Sequence, residues 1–428
     1  MTELKRHMGL FHTTMYGIGL ILGAGIYVLI GEAAGIAGNA VWLSFIFGAI
    51  AAVFAGLSYA ELSSMYPKAA AEYVFVKNAF RSNFLAFIIG WLTLFTSIIA
   101  AATVALGFGG YFAAIFDYPI IISAVLLIGI LSFVNFFGIR ESSWTNIVFT
   151  IIEAVGLALI IYIGFTFTTA EPINYFENPF GISGISLAFV LIFFAFIGFE
   201  DIVNIAEETK NPKKVLPRAI ILSISITAII YILVSLSAIR VLSWQELGSS
   251  LAPLADVAER ALGSTGQLTM SLIALFATAN TVLIILLAGS RILYGMAVQR
   301  SLPLLLGKVH FKTKTPWVAV LVIMLISTIF VFIENIVTVA NITVFAIVIT
   351  FAMVNLSVIL LRYREPTLER PFRTPINIGK FPILSLFGVI ISAYMMTQFN
   401  AYVISVGMGI VGAGALFYVF YSKRMATL

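Results

Sequence analysis

The chain has 428 residues, of which 61% are hydrophobic and 10% charged, against roughly 25% charged in an average soluble domain. A soluble core of this length cannot hide so much apolar surface, so the surrounding solvent is lipid and a count of soluble domains does not apply. The formal charge of +5 lies in segments between apolar spans and is no nucleic-acid footprint, and without cysteine there is neither a disulfide nor a thiolate metal site.

The N-terminus is short and basic (Lys5, Arg6, His7) and runs straight into a long apolar segment with no small-residue cleavage site, so an uncleaved first span is expected. Hydropathy predicts twelve spans, near 10–32, 38–65, 83–115, 119–138, 144–168, 183–206, 216–239, 265–298, 316–333, 335–361, 382–399 and 401–421. Each suffices to cross a core of roughly 30 Å. With the N-terminus in the cytoplasm, every lysine and arginine except Arg240 and Arg260 falls on the inner side or at inner helix ends, as the positive-inside rule asks. The expectation is an all-α polytopic protein of the cell membrane, one transmembrane domain over 1–428, with both termini cytoplasmic.

In chain order, span 1 contains Leu22-Gly23-Ala24-Gly25-Ile26-Tyr27, where glycine weakens the helix; Gly19 and Gly23 also match GxxxG, a close-packing motif. Glu61, at the inner end of span 2 before Pro67, is expected to pair with a basic loop residue in an inner gate. Ser97 lies mid-way along span 3. Span 5 carries Glu153, a lone acid in hydrocarbon, where charge is costly and usually functional. Glu153 is expected to titrate during a transport cycle and couple a proton to substrate; the alternative is a permanently protonated acid bonded to a neighbouring helix. Span 6 reads Phe193-Phe-Ala-Phe-Ile-Gly198-Phe-Glu200-Asp201, a broken apolar helix closing on two acids. Such a break is tolerated where backbone and charge line a site. Glu200 has two compatible readings, a cap on the second half of span 6 and an acid facing substrate. Asp201, one residue on, is expected to point about 100° away. Glu207 and Glu208 pair with nearby lysines or stand in a solvated loop. Asn280 and Thr281 are polar groups within span 8 that face the site or bond another helix.

Glycine breaks five spans apart, in spans 1 and 6, suggest an inverted repeat of 10–168 and 183–361, with 382–421 supplying spans 11 and 12. Four motifs then carry a resemblance to the amino acid–polyamine–organocation superfamily, nearest its cationic amino acid transporter branch: GAGIYVLIGEAAG (23–35), GLSYAELSSMYPKAAAEYVF (56–75), FFAFIGFEDIVNIAEETKNPKKVLPRAI (193–220) and AGSRILYGMAVQRSLP (288–303). Ala69, Ala70 and Ala71 depart from the small residue and two glycines usual there.

The resemblance implies a five-plus-five inverted-repeat (LeuT-like) fold with broken helices 1 and 6. It assigns a substrate carboxylate to the amides of Ala24, Gly25 and Ile26 beside Gly23, and a substrate ammonium to the carbonyls of Ile21, Phe194, Ala195 and Ile197. Ala24 stands where many relatives have serine, and Glu153 near a point in span 5 where some carry lysine. Phe194 and Phe196 are candidate pocket walls. The function implied is secondary amino acid transport by alternating access, with proton symport. The alternatives are an amino acid or polyamine exchanger and a non-transporting amino acid sensor. Partners are the amino acid, protons and the bilayer, with no nucleic acid, cofactor or metal, and no obligatory protein partner evident. An enzyme is disfavoured by the lack of a nucleophile–base or metal cluster. Gly407 to Gly412 matches GxGxxG but lies in an apolar span with no preceding strand, and the sequons at Asn341 and Asn355 lie within span 10.

Overall fold

A computed structural model describes residues 8–68, 71–137, 143–168, 172–206, 209–298, 300–313 and 315–426. Lys5, Arg6, His7, Ala69, Ala70, Arg140, Glu207, Glu208 and Lys314 therefore lie outside the described residues.

Almost every described residue is helical. The first predicted span is two helices, α1 (Leu10–Leu22) and α2 (Ala24–Ala37). Gly23 between them has ψ −153°, which ends the α1 ladder and restarts it at Ala24. A one-turn 3₁₀ segment, Gly38–Ala40, leads into α3 (Val41–Met65). Then come the short α4 (Ala71–Phe80), the long α5 (Asn83–Phe116), α6 (Ile120–Phe137) and α7 (Ser143–Thr166).

The sixth predicted span breaks more thoroughly than the first. Helix α8 (Gly181–Ile192) tightens into 3₁₀ turns over Phe193–Phe196, passes through extended Ile197 and Gly198, and continues as 3₁₀ over Phe199–Ile205. Gly198 has φ 126°, a conformation that side-chain-bearing residues rarely adopt. The second half, expected to resume as a helix, is thus a more tightly wound 3₁₀ segment. Helices α9 (Pro212–Val241), α10 (Trp244–Ser249) and α11 (Pro253–Val298, kinked at Gly263) follow. The chain closes with α12 (Trp317–Val331), α13 (Ile336–Arg364), a two-stranded hairpin (Asn377–Ile378 with Phe381–Pro382), α14 (Ile383–Gln398) and α15 (Ala401–Ala426).

Among the described residues nine helical stretches are long and apolar enough to cross a membrane. Leu10–Met65 counts as one stretch and takes in predicted spans 1 and 2, because the turn between α2 and α3 is itself helical. Helices α12 and α14, with 15 and 16 residues, are apolar but fall short of the usual ~17–25. The protein is thus a polytopic, nearly all-helical membrane protein. Short α4 and α10 and the hairpin have no counterpart among the predicted spans.

Packing places the two broken spans centrally. Helix α3 lies along α9, α1 between α9 and α7, and α2 against α8 and α10, while α5 is sandwiched by α11 and α13. Fully buried aromatic side chains, among them Tyr27, Tyr59, Tyr111, Tyr231, Phe199 and Phe351, fill the centre. Phe133, Tyr162 and Ile329 project outward, apolar side chains suited to lipid.

Candidate functional site

The breaks in spans 1 and 6 lie back to back because glycine lets them. A Cβ on Gly25 would collide with the backbone of Ala195, and one on Gly23 with the Thr281 hydroxyl. The two gaps border one cavity, walled by Ile21, Gly23, Ala24, Gly25, Phe194, Ala195, Ile197, Glu200 and residues of α5 and α11. Ser97 and Thr281 are also on this lining. Ile26, Asn280 and Glu153 lie off it, and Phe196 turns away to pack its ring 5.3 Å from that of Tyr231.

A helix start leaves amides without partners, and in lipid each unmet group is costly. Here the Ala24 amide donates to Thr281 Oγ1 at 3.3 Å, while that hydroxyl donates to the Ala277 carbonyl at 2.9 Å. The hydroxyl missing at Ala24 is thus supplied from α11 across the gap. The opposite ends expose carbonyls. Tyr231, from the middle of α9, donates its hydroxyl to the carbonyls of both Ile21 and Ala195, the latter at 3.0 Å. One side chain therefore ties the last turn before each break to the other. Sequence reasoning missed Tyr231; its only signal was a polar tip in the middle of an apolar span.

Glu200 is 3% exposed, and its Oε2 accepts the Gly198 amide at 2.8 Å. Glu200 sits two residues beyond Gly198, the residue that leads into the 3₁₀ segment, and its carboxylate bonds that residue's amide from the cavity wall. Asp201 is on the wall too, which corrects the expectation that adjacency would point it away. The α-helical 100° step assumed for that expectation does not apply to this 3₁₀ segment. Thr93 and Thr96 of α5 complete the polar lining and were not singled out; their hydroxyls bond the Ile89 and Leu92 carbonyls, one turn back.

Glu153, on α7, is fully buried. Asn280 Nδ2 donates to its Oε1 at 3.4 Å, and among the described residues its Oε2 has no hydrogen-bond partner. Its backbone carbonyl accepts the Tyr27 hydroxyl at 2.7 Å, and the Tyr27 carbonyl accepts that of Tyr111 at 2.7 Å. The backbone of Glu153 is thus tied to the second half of span 1 through Tyr27, and its carboxyl stays off the cavity lining.

Glu61 closes the end where α3 and α13 finish. Arg362 donates to it twice, from Nε at 2.7 Å and Nη2 at 2.6 Å, the Thr374 amide donates at 2.8 Å, and Arg370 lies 3.5 Å away. Glu61 and Arg362 are 1% and 3% exposed. Glu61 thus meets the expected loop cation in Arg370, but its main partner stands on α13. Among the described residues no three potential metal-ligating side chains cluster.

Two interrupted apolar helices around a mixed polar and apolar cavity are the construction of a membrane transporter. Comparison with known proteins agrees. A family model described as amino acid permease matches residues 8–421. The chain belongs to this amino acid permease family, within the amino acid–polyamine–organocation superfamily. It is 28% identical to the branched-chain amino acid permease BcaP of Bacillus subtilis, over 100% of this chain and 95% of that one. It is 31% identical to the cationic amino acid transporter 4 of Mus musculus, over 85% of this chain and 61% of that one. A methylthioribose transporter of Bacillus subtilis is 27% identical over 100% of this chain and 95% of its own length.

Proposed function

We propose that this chain is a secondary transporter of α-amino acids, binding substrate between the two broken spans and coupling its movement to protons. The carrying observation is the single cavity onto which the start of α2 and the 3₁₀ ends of span 6 both open. Positive half-helix ends suit a carboxylate, negative ends an ammonium. Ala24, Gly25 and Ile26 amides take the carboxylate; Ile21, Phe194, Ala195 and Ile197 carbonyls take the ammonium. Thr281 then exchanges its bond from Ala24 for one to substrate. Twelve spans arranged as two inverted repeats, 10–168 and 183–361, move against each other in alternating access, with 382–421 peripheral. The basic residues support cytoplasmic termini. Glu153, with one carboxyl oxygen unpartnered among the described residues, is the proposed coupling group.

The remaining wall is aliphatic (Ala100, Val104, Ile284, Ile285, Ile347), which favours a neutral, apolar side chain, as the name of BcaP does. Asp201 on the wall favours a second reading, a cationic side chain, in line with the second relative's name. Uptake of leucine and of lysine into proteoliposomes containing only this protein separates them. Leucine uptake stimulated by an acid-outside gradient is expected, and Glu153→Gln is expected to lose that stimulation. Binding without uptake would support a sensor instead.

A further inference from the structure

We infer that Glu72, on the short helix α4, is a second proton-carrying group of this carrier, joined through Tyr59 to the acidic wall of the substrate cavity. The inference rests on the proton-coupled reading above.

Glu72 opens α4, which lies outside the apolar stretches and packs between α5 and α13. An acid in the first turn of a surface helix normally faces water. This one is 4% exposed, and among the described residues no cation pairs with it. Its Oε1 accepts the Tyr59 hydroxyl at 3.1 Å. Tyr59 is itself fully buried, with its ring 5.7 Å from Phe199, the residue before Glu200. Glu200 lies within electrostatic reach of both Tyr59 and Glu72, as does Asp201. One phenol thus stands between a sealed acid on α4 and the acids of the cavity wall.

Among the described residues, no cation is seen to pair with Glu72. From α3 comes Tyr59, and from the 3₁₀ segment Glu200 and Asp201. On α4 itself Lys77 sits over the Tyr73 ring, 5.5 Å from its centroid. From α13, Arg362 is committed to Glu61, and Arg364 donates to the Ala79 carbonyl at 2.6 Å, near the far end of α4. Helix α5 has no ionisable side chain but Tyr111, which bonds Tyr27. Burial pushes the Glu72 carboxyl up to about 7, with the charge of Asp201 adding to it; hydrogen bonds from its own backbone and from Tyr59 offset part of the rise. A group poised there gains and loses a proton near neutral pH, which a relay requires. In the transfer, Tyr59 gives its hydroxyl hydrogen to the Glu72 carboxylate and takes the proton of the protonated Glu200 carboxyl on the cavity side, so Glu200 ends as carboxylate, Glu72 as acid and the phenol unchanged. Neither Tyr59 nor Glu72 was singled out from the sequence.

The test uses proteoliposomes of the full chain and radiolabelled leucine, with lysine in parallel. Glu72→Gln is expected to bind and exchange substrate as wild type does. Its gradient-driven uptake should fall at least about tenfold, and its pH profile should flatten across neutrality. Tyr59→Phe should show the same split, and Glu72→Asp should keep the gradient response. Thermal stability at two pH values separates a structural role: removal of a buried acid alone alters how stability falls with rising pH, but leaves gradient stimulation in place. Wild-type gradient stimulation in Glu72→Gln overturns this proposal and leaves proton coupling standing. Absence of stimulation in the wild type overturns both.

Discussion

Tyr231 ties the two broken spans together from a third helix. Its hydroxyl meets the Ile21 and Ala195 carbonyls that close the first half of each broken span. In hydrocarbon these acceptors have few other donors. Tyr231→Phe removes the donor without changing the packing against Phe45 and Phe196. Loss of a net hydrogen bond costs about 1 kcal/mol, so a modest drop in melting temperature is expected. The larger effect should fall on uptake, because the two breaks lose their common anchor. Equal uptake kinetics in wild type and Tyr231→Phe would show that the tie is idle. That this residue escaped the sequence reading has a physical cause: hydropathy along a span says nothing of which neighbour a polar tip meets. Glu153 and Glu200 stood out because charge in lipid is expensive wherever it points. Asp201 was misjudged because the helical step was assumed to survive the break.

At the scale of elements, the two breaks were legible and their repair was not. Gly23, Gly25 and Gly198 mark the interruptions by residue type alone, but Thr281 from α11 reaches the Ala24 amide only through tertiary packing. Helix α4 went unpredicted since Glu72 and Lys77 lower its hydropathy below that of a span, and α10 is too short for any periodicity to register. The glycines carry a sharp expectation. Gly25→Ala adds a methyl where the Ala195 backbone stands, so spans 1 and 6 must part. Overpacking of this kind costs about 1–3 kcal/mol. Uptake should be nearly abolished while the protein still inserts, a split that surface biotinylation against uptake will reveal. Gly129, with open space around it, makes the control: Gly129→Ala should transport normally.

At the scale of the whole molecule, the linker after α13 is bound to the end of α3. Beyond Glu61, the Thr374 hydroxyl donates to the Leu57 carbonyl at 3.3 Å, Arg362 donates to Asn377 at 3.0 Å, and the Phe372 amide donates to Ser64 at 3.2 Å. Removing one partner of a buried ion pair leaves the other uncompensated, at a cost of roughly 3–5 kcal/mol. Glu61→Gln should therefore melt well below wild type in detergent, and Glu61→Gln with Arg362→Met should recover part of the loss. A double variant no more stable than the single would place the cost in the linker bonds instead. The reading of Glu61 as one half of an inner ion pair came from its position before Pro67; that α13 supplies the partner needed the fold.

The helices also differ in length according to their surroundings. Helix α5 runs 34 residues without a charge, about 51 Å, far more than a hydrocarbon core of roughly 30 Å. Most of it is wrapped by other helices, so the protein, not the lipid, absorbs the excess. Helices α6 and α12 pack against one another and turn Phe133 and Ile329 outward. Helix α12 has only 15 residues, about 23 Å. On that flank a short span meets a thicker hydrocarbon core, and the misfit is smallest where the lipid chains are short.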